Sequence, residues 1–537
     1  MNGFSKEALR EINAVKPVIF SITAKAALAA DILASGLFEE GLLARSMDDK
    51  GAPQAAEVPF PDGERYLRLL SDVEGRSVVI LGSGADAYQA LETLDLAHLM
   101  AENGALCTRV IIDDEDESVF AKGLMEVLLS STLMGCPLAQ VTRIKLAAKL
   151  AVSNPRRAEC VLTLAHKAAS GTGFKKLSHR LRNLSTQQVV SAMNAYARGR
   201  KGKQLVYHTA SYGHFAEGMG ETGAFVAGSQ SAMDLAAQGE LAALTAEANG
   251  RTVVLVGGTV SDEETAQLLS YAHALARAGA WEVRVVVPFM GYSTMERAIK
   301  PGEAVKAKTR ALLLSAVLCS VPSNCVFLVD LHAEGIQHYF EYGVHVKHIY
   351  AKPVIIDSVK QILVDDYKLR TGKTELSEDE LAEALKTPFV FASTDAGRAK
   401  WVESLTSDMA RLGLNAESAF IIKRRLSGEK TEVRDISAHV EGLLVIIYDD
   451  MVRTGGSLIK AGDAYRAKGA SDVAGILTHC VMPGKSKEKL KASKAFRVLV
   501  VTDSHCRAEL LAGDGLVVNS ITALLAGAVS KGRAELV

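Results

Sequence analysis

Val445-Ile446-Ile447-Tyr448-Asp449-Asp450-Met451-Val452-Arg453-Thr454-Gly455-Gly456-Ser457 is the stretch from which the architecture can be read. Four apolar residues end on two adjacent acids, and a Thr-Gly-Gly-Ser turn follows. Leu458-Ile459-Lys460-Ala461 then begins an apolar pattern at helical spacing. A short, wholly apolar run of this kind predicts the buried centre of a parallel sheet, its carboxyl end opening into a crevice. The turn and the helix N-terminus offer backbone N–H groups to an anion, and two glycines let that anion come close. Carboxylates at the same edge can accept hydrogen bonds from vicinal hydroxyls, so the combination suits a phosphorylated sugar.

The composition narrows the class. At 537 residues the chain is too long for one ordinary domain. With 48% hydrophobic and 23% charged residues it has ample core for a soluble globular protein. A formal net charge of -1 gives no electrostatic case for nucleic acid or an anionic membrane as a partner. The cysteines form no CxxC pair, which fits reduced thiols better than a disulfide frame or a zinc site. With no apolar segment of signal or membrane-spanning length, a cytoplasmic protein is expected.

Along the chain, Pro17–Ser21, Ser77–Leu81 and Arg109–Ile112 read as strands, with helices near Ala24–Leu37 and Ala87–Ala101. The same words recur later. Gly75-Arg76-Ser77-Val78-Val79-Ile80-Leu81-Gly82 matches Gly250-Arg251-Thr252-Val253-Val254-Leu255-Val256-Gly257. Ala97-His98 matches Ala272-His273, and Arg109-Val110 matches Arg284-Val285, at one constant offset (250 − 75 = 284 − 109). A duplication is expected, giving lobes at 1–203 and 204–322, joined by the basic run Ala197–Lys203. A third lobe, 323–537, alternates strands and helices around the opening stretch. The expected fold is α/β, with tandem lobes built on central, mostly parallel sheets flanked by helices.

The two-acid loop resembles the one by which type I phosphoribosyltransferase-like folds hold ribose 5-phosphate or phosphoribosyl pyrophosphate (PRPP). Further motifs occur in order: Pro288–Arg297, Asp330-Leu331-His332-Ala333, Asp395-Ala396-Gly397, Lys423-Arg424-Arg425 and Val501-Thr502-Asp503. Together with Phe60-Pro61-Asp62-Gly63-Glu64, they resemble the ribose-phosphate pyrophosphokinase (PRPP synthetase) family over most of residues 250–537. The resemblance implies that ATP, or another nucleoside triphosphate, gives its β,γ-pyrophosphoryl group to ribose 5-phosphate, with Mg2+ as cofactor and a homo-oligomer as the assembly. It assigns catalysis to Lys423 and Arg425, and the ribose 5-phosphate to Asp449, Asp450, Arg453, Thr454, Gly455, Gly456 and Ser457. By the same resemblance the metal falls to His332 and Asp395, with Asp330 beside them on a strand end. The nucleotide falls to Asp62, Gly63, Glu64, Thr294, Met295 and Arg297.

Several residues depart from the family's common form. Thr294-Met295 stands where Arg-Gln is usual, Arg453 where an acid is usual, and Arg398 where a second glycine would follow Asp395-Ala396-Gly397. Thr294-Met295 bears on nucleotide choice, Arg453 on hydroxyl recognition and Arg398 on crowding of the turn, and all four residues fit an alternative, a non-catalytic regulatory homologue. The flap cations oppose that alternative, and the two-lobe layout before residue 325 opposes a PRPP-consuming phosphoribosyltransferase. Because Asp62-Gly63-Glu64 lies on the extra lobe, that lobe is expected to act as a built-in neighbour completing the nucleotide site, within the chain or across a dimer, the alternative being a copy that serves only packing.

Overall fold

The computed structural model describes residues 17–144, apart from 35, 37, 49–51, 75, 106, 114–123 and 133–139, and residues 203–530, apart from 322, 428 and 429. The basic stretch 197–202 lies outside the described residues. Two compact units result: residues 1–327 with 333–347, and residues 328–332 with 348–537. No helix among the described residues is long and apolar enough to cross a membrane.

The first unit contains two parallel sheets that share one strand order. Its five-stranded sheet uses β1 (Val18–Ser21), β2 (Glu39–Glu40), β3 (Ser77–Gly82), β4 (Cys107–Asp113) and β5 (Gln140–Ile144), in the order β2-β1-β3-β4-β5 with every pairing parallel. A six-stranded sheet repeats that order. Its strands are β6 (Gln204–His208), β7 (Phe225–Ala227), β8 (Thr252–Val256), β9 (Glu282–Val287), β10 (Ser323–Val329) and β11 (His345–Ile349), ordered β7-β6-β8-β9-β10-β11. Helix α1 (Ala87–Glu102) follows β3, and α2 (Leu124–Thr132) follows β4. Their counterparts are α3 (Asp262–Arg277), after β8, and α4 (Lys306–Leu318), after β9. The offset of 175 carries both ends of α1 onto α3 (87 + 175 = 262; 102 + 175 = 277). It also carries the N-cap Asp86, which accepts from Gln89 N–H, onto Ser261, which accepts from Glu264 N–H.

Equivalent helices pack on one another, α1 on α3 and α2 on α4. Like against like is the arrangement of an isologous interface, here made within one chain. It explains why α1 is covered even at its polar positions, Glu92, Asp95 and His98. Asp95 is 2% exposed and is met from α4 by Arg310 at 3.0 Å and Lys306 at 3.2 Å. Arg310 also reaches Asp262 at 3.5 Å, and Arg65 pairs with Asp262 at 2.8 Å. Burial alone would raise the Asp95 carboxyl, but the Arg310 and Lys306 cations outweigh it and hold that group below its ordinary range. A buried network of this kind ties one specific arrangement of the two lobes, because removing one partner strands a charge.

The second unit holds β12 (Phe389–Ser393), β13 (Ala416–Ser427), β14 (Lys430–Ile436), β15 (Leu444–Val452), β16 (Asp472–Cys480), β17 (Leu499–Thr502) and β18 (Leu516–Asn519). They form one sheet in the order β14-β13-β12-β15-β16-β17-β18, parallel except for the antiparallel arm β13–β14. Strand β15 is the buried centre, and its period-two alternation feeds both faces. Val445 and Ile447 pack with Leu458, Ala461 and Tyr465 of α7 (Gly456–Ala467). Leu444, Ile446 and Tyr448 pack on the other face, against α5 (Lys352–Thr371) and α6 (Ala399–Arg411). Each such side chain contributes about 1.5–3 kcal/mol by burial, which is why the run is apolar throughout.

Two boundaries differ from the sequence reading. Ser323–Val329, expected to open the third lobe, pairs instead into the six-stranded sheet, because an apolar strand does not declare which sheet it joins. Strand β15 also runs on through both acids to Val452, rather than ending at Tyr448.

Asp95→Ala would leave Arg310 and Lys306 buried without their main counter-charge. Its unfolding free energy in a denaturant titration is expected to fall by about 3–5 kcal/mol, whereas a surface substitution such as Asp357→Ala is expected to change it by no more than about 0.5 kcal/mol.

Candidate active site

The register around β15 makes the crevice. Strand β12 ends at Ser393, opposite Tyr448, whereas β16 stays paired with β15 as far as Cys480 opposite Val452. Asp449 and Asp450 therefore lie on a stretch with no β12 beside it, and the turn Thr394–Arg398 is the chain that follows β12 there. Thr394 Oγ1 donates to Asp449 Oδ2 at 2.9 Å. Asp450 Oδ2 meets His332 Nδ1 at 2.7 Å and Arg398 Nη2 at 2.8 Å.

The two acids are driven apart in acidity. Burial raises Asp449, and the neighbouring Asp450 charge raises it further. Asp450 is buried as well, yet the His332 hydrogen bond and the Arg398 cation more than offset that and hold it below the carboxylate range. One carboxylate thus keeps its charge while the other gives it up readily, the expected outcome for two acids sharing a site.

The turn Thr454–Ser457 leads directly into α7. Gly455 takes a left-handed φ of +74° and precedes α7 without a capping side chain, so the helix N-terminus faces an incoming anion. A Cβ at Gly455 would lie 2.8 Å from Leu490 Cγ, so helix α8 (Ser486–Ser493) seats directly on the turn. A Cβ at Gly456 would meet only Lys489 Nζ at 3.7 Å and Thr454 Oγ1 at 4.0 Å. Lys489 thus stands beside the open face of Gly456. Nothing local in its sequence pointed there, since it lies more than thirty residues downstream and reaches the turn only through Leu490 packing. Arg453 and Ser457 flank the same turn.

The other expected residues are not gathered into one cluster. Asp330 is buried with its carboxylate committed to Thr478 Oγ1 at 2.7 Å and Ala351 N–H at 3.1 Å, and burial pushes it up to about 6. Those bonds brace the strand end before His332. Asp395 accepts from Gly397 N–H at 2.9 Å and is partly exposed. Among the described residues no three His, Cys, Asp or Glu side chains gather as a metal site would. Magnesium ordinarily takes only one or two carboxylates and draws its remaining ligands from phosphates and water. A partly exposed Asp395 with His332 fits that mode.

Lys423 and Arg425 lie on β13, which pairs with β14 as a two-stranded arm. Irregular register at Ile422/Lys423 and Arg425/Ser427 marks both places.

In the first unit, Glu64 reaches the second lobe. Its Oε1 accepts from Tyr292 N–H at 2.5 Å, and its Oε2 from Thr294 Oγ1 at 3.3 Å. Tyr292 has φ +58°, and a Cβ on the preceding Gly291 would fall 1.9 Å from the Thr259 carbonyl oxygen. Glycine is required there for the loop to present that N–H. Asp62 and Gly63 make the turn behind Glu64, with Asp62 Oδ1 accepting from Glu64 N–H at 3.3 Å. Met295 N–H closes the loop onto Tyr292 O at 2.9 Å. Arg297 is 77% exposed and paired with Glu296, away from Glu64's contacts.

A ribose-phosphate pyrophosphokinase from Marinomonas sp. is 31% identical over 261 residues, covering 48% of this chain and 71% of its own. The chain belongs to the ribose-phosphate pyrophosphokinase family. The relative of that name in Fusobacterium nucleatum is 29% identical over 284 residues, 52% of this chain and 80% of its own. The family model for the N-terminal domain of ribose phosphate pyrophosphokinase matches residues 226–317, on the second lobe. A solved phosphoribosylpyrophosphate synthetase from Mycobacterium smegmatis covers 61% of this chain and 98% of its own, at TM-score 0.47 and 20% identity.

The two glycines of the turn separate by role. Gly455→Ala meets both the left-handed φ and Leu490, and is expected to lower stability by about 1–3 kcal/mol in urea unfolding. Gly456→Ala has room for its Cβ and is expected to stay within about 0.5 kcal/mol of the parent.

Proposed function

We propose that this pyrophosphokinase holds ribose 5-phosphate with its phosphate on the Arg453–Ser457 turn and its vicinal hydroxyls on Asp449. The observation that carries the reading is the turn itself: a left-handed Gly455, an open Gly456 and the Lys489 ammonium beside it, directly after two buried acids. Lys489 adds a cation that the backbone N–H groups alone lack.

The reaction forms a bond from the ribose 1-hydroxyl oxygen to the β-phosphorus of the nucleoside triphosphate. The bond from that phosphorus to the oxygen bridging it to the α-phosphate breaks, AMP leaves when ATP is the donor, and the hydroxyl proton is lost. Such transfers depend on positioning and on neutralising phosphate charge more than on covalent help from the protein. Lys423 and Arg425 on the β13–β14 arm supply cations for the transferred group. Bound magnesium supplies positive charge to the phosphate oxygens, and Asp395 with His332 would hold it.

We place the nucleotide at the Glu64–Thr294 loop. Glu64 from the extra lobe organises Tyr292 and Thr294 within one chain, which supports the extra lobe as a resident neighbour. Thr294-Met295 offers no guanidinium to a triphosphate, so donors other than ATP are admitted.

Purified protein with ribose 5-phosphate, magnesium and ATP is expected to release AMP and PRPP in equal amounts. Lys423→Ala should lose about 10²–10³-fold in kcat, and Glu64→Ala should raise KM for the nucleotide while remaining folded. A folded protein that produces neither AMP nor PRPP with any nucleoside triphosphate would overturn the assignment.

A further inference from the structure

Arg398 occupies a position that few arginines should favour. It is the N-cap of α6, where the helix dipole repels a cation. Yet its side chain is only 22% exposed, and its Nη2 lies where two acceptor oxygens and an imidazole nitrogen converge. These are Asp450 Oδ2 at 2.8 Å, the His332 carbonyl oxygen at 3.0 Å and His332 Nδ1 at 3.4 Å. A carboxylate oxygen and a carbonyl oxygen around one point suit a small divalent cation, and the imidazole nitrogen would join them on releasing the proton it donates to Asp450. Asp450 is 4% exposed and could not keep its charge there without a cation close by.

We infer that Arg398 is the resident cation of this pocket: a positioning residue that fixes His332 against Asp450 and excludes a free divalent ion from the place its own nitrogen fills. In this arrangement the reaction's divalent ion arrives with the nucleotide phosphates, on the Asp395 side, and does not preload at Asp450. A fixed guanidinium cannot leave with product, so the Asp450–His332 geometry is set before any substrate binds. The inference rests on the reading of these residues as part of the ribose-phosphate site, but its test needs neither substrate nor turnover.

Mn2+ is titrated into the ligand-free protein, with uptake followed by the loss of the free-ion electron paramagnetic resonance signal. The parent and Arg398→Lys are expected to show only weak uptake. Arg398→Gly and Arg398→Ala are each expected to gain one equivalent, bound at least about tenfold tighter than any ion in the parent. Adding Asp450→Asn to Arg398→Gly should abolish the gain and so locate it. Tight uptake by the parent that disappears in Asp450→Asn would overturn the inference. So would the absence of any gain in whichever of the glycine and alanine variants folds, or a gain that survives Asp450→Asn. A chain without synthetase activity would still give either pattern, so failure of the functional reading is told apart from failure of this one.

Discussion

Two adjacent carboxylates at the buried end of a central strand cannot both be charged without a cation within reach. That constraint organises the second unit. Arg398 and His332 take one acid and fix it ionised, and Thr394 takes the other, whose proton is held more tightly. The arrangement depends on β12 ending four residues before β15 does, since a full-length neighbour would pair the backbone there and leave no room for the Thr394–Arg398 turn. Strand length, a feature of packing, is thus what opens the chemistry.

The first unit answers a different constraint. A duplicated lobe presents the same apolar surface twice, and packing α1 on α3 and α2 on α4 covers both copies at once. Asp95, Arg310, Lys306 and Asp262 restrict that packing to one arrangement through charges that only their partners satisfy. With the lobes so fixed, the segment containing Glu64 is carried to the Tyr292–Thr294 loop inside a single chain.

Much of this was legible beforehand. The repeat at offset 175 was visible as matching words, and it carries α1 onto α3 because equal burial demands impose equal patterns on the two copies. The apolar run before Asp449 announced a doubly covered strand, and Gly455-Gly456 announced the turn into α7. What could not be read depended on tertiary placement. Ser323–Val329 is apolar enough for either sheet. The positive φ of 33° at Asp330 and its bonds to Thr478 and Ala351 are visible only in the fold. Arg398 read as crowding in a glycine's place, and only the fold shows the acid it neutralises. Lys489 carried no signal, because its role comes from Leu490 packing on Gly455.

The central claim is that the turn after β15, with Lys489 beside it, is where a sugar phosphate binds. Calorimetric titration of ribose 5-phosphate tests it most directly, using the parent, Gly456→Ala and Lys489→Gln, each confirmed as folded. The account predicts saturable binding by the parent, weakened about tenfold or more in Lys489→Gln by loss of a charge-assisted contact of about 1.5–3 kcal/mol, and weakened in Gly456→Ala because its methyl group obstructs close approach of the phosphate. Equal affinity in all three proteins would place the phosphate elsewhere and contradict it.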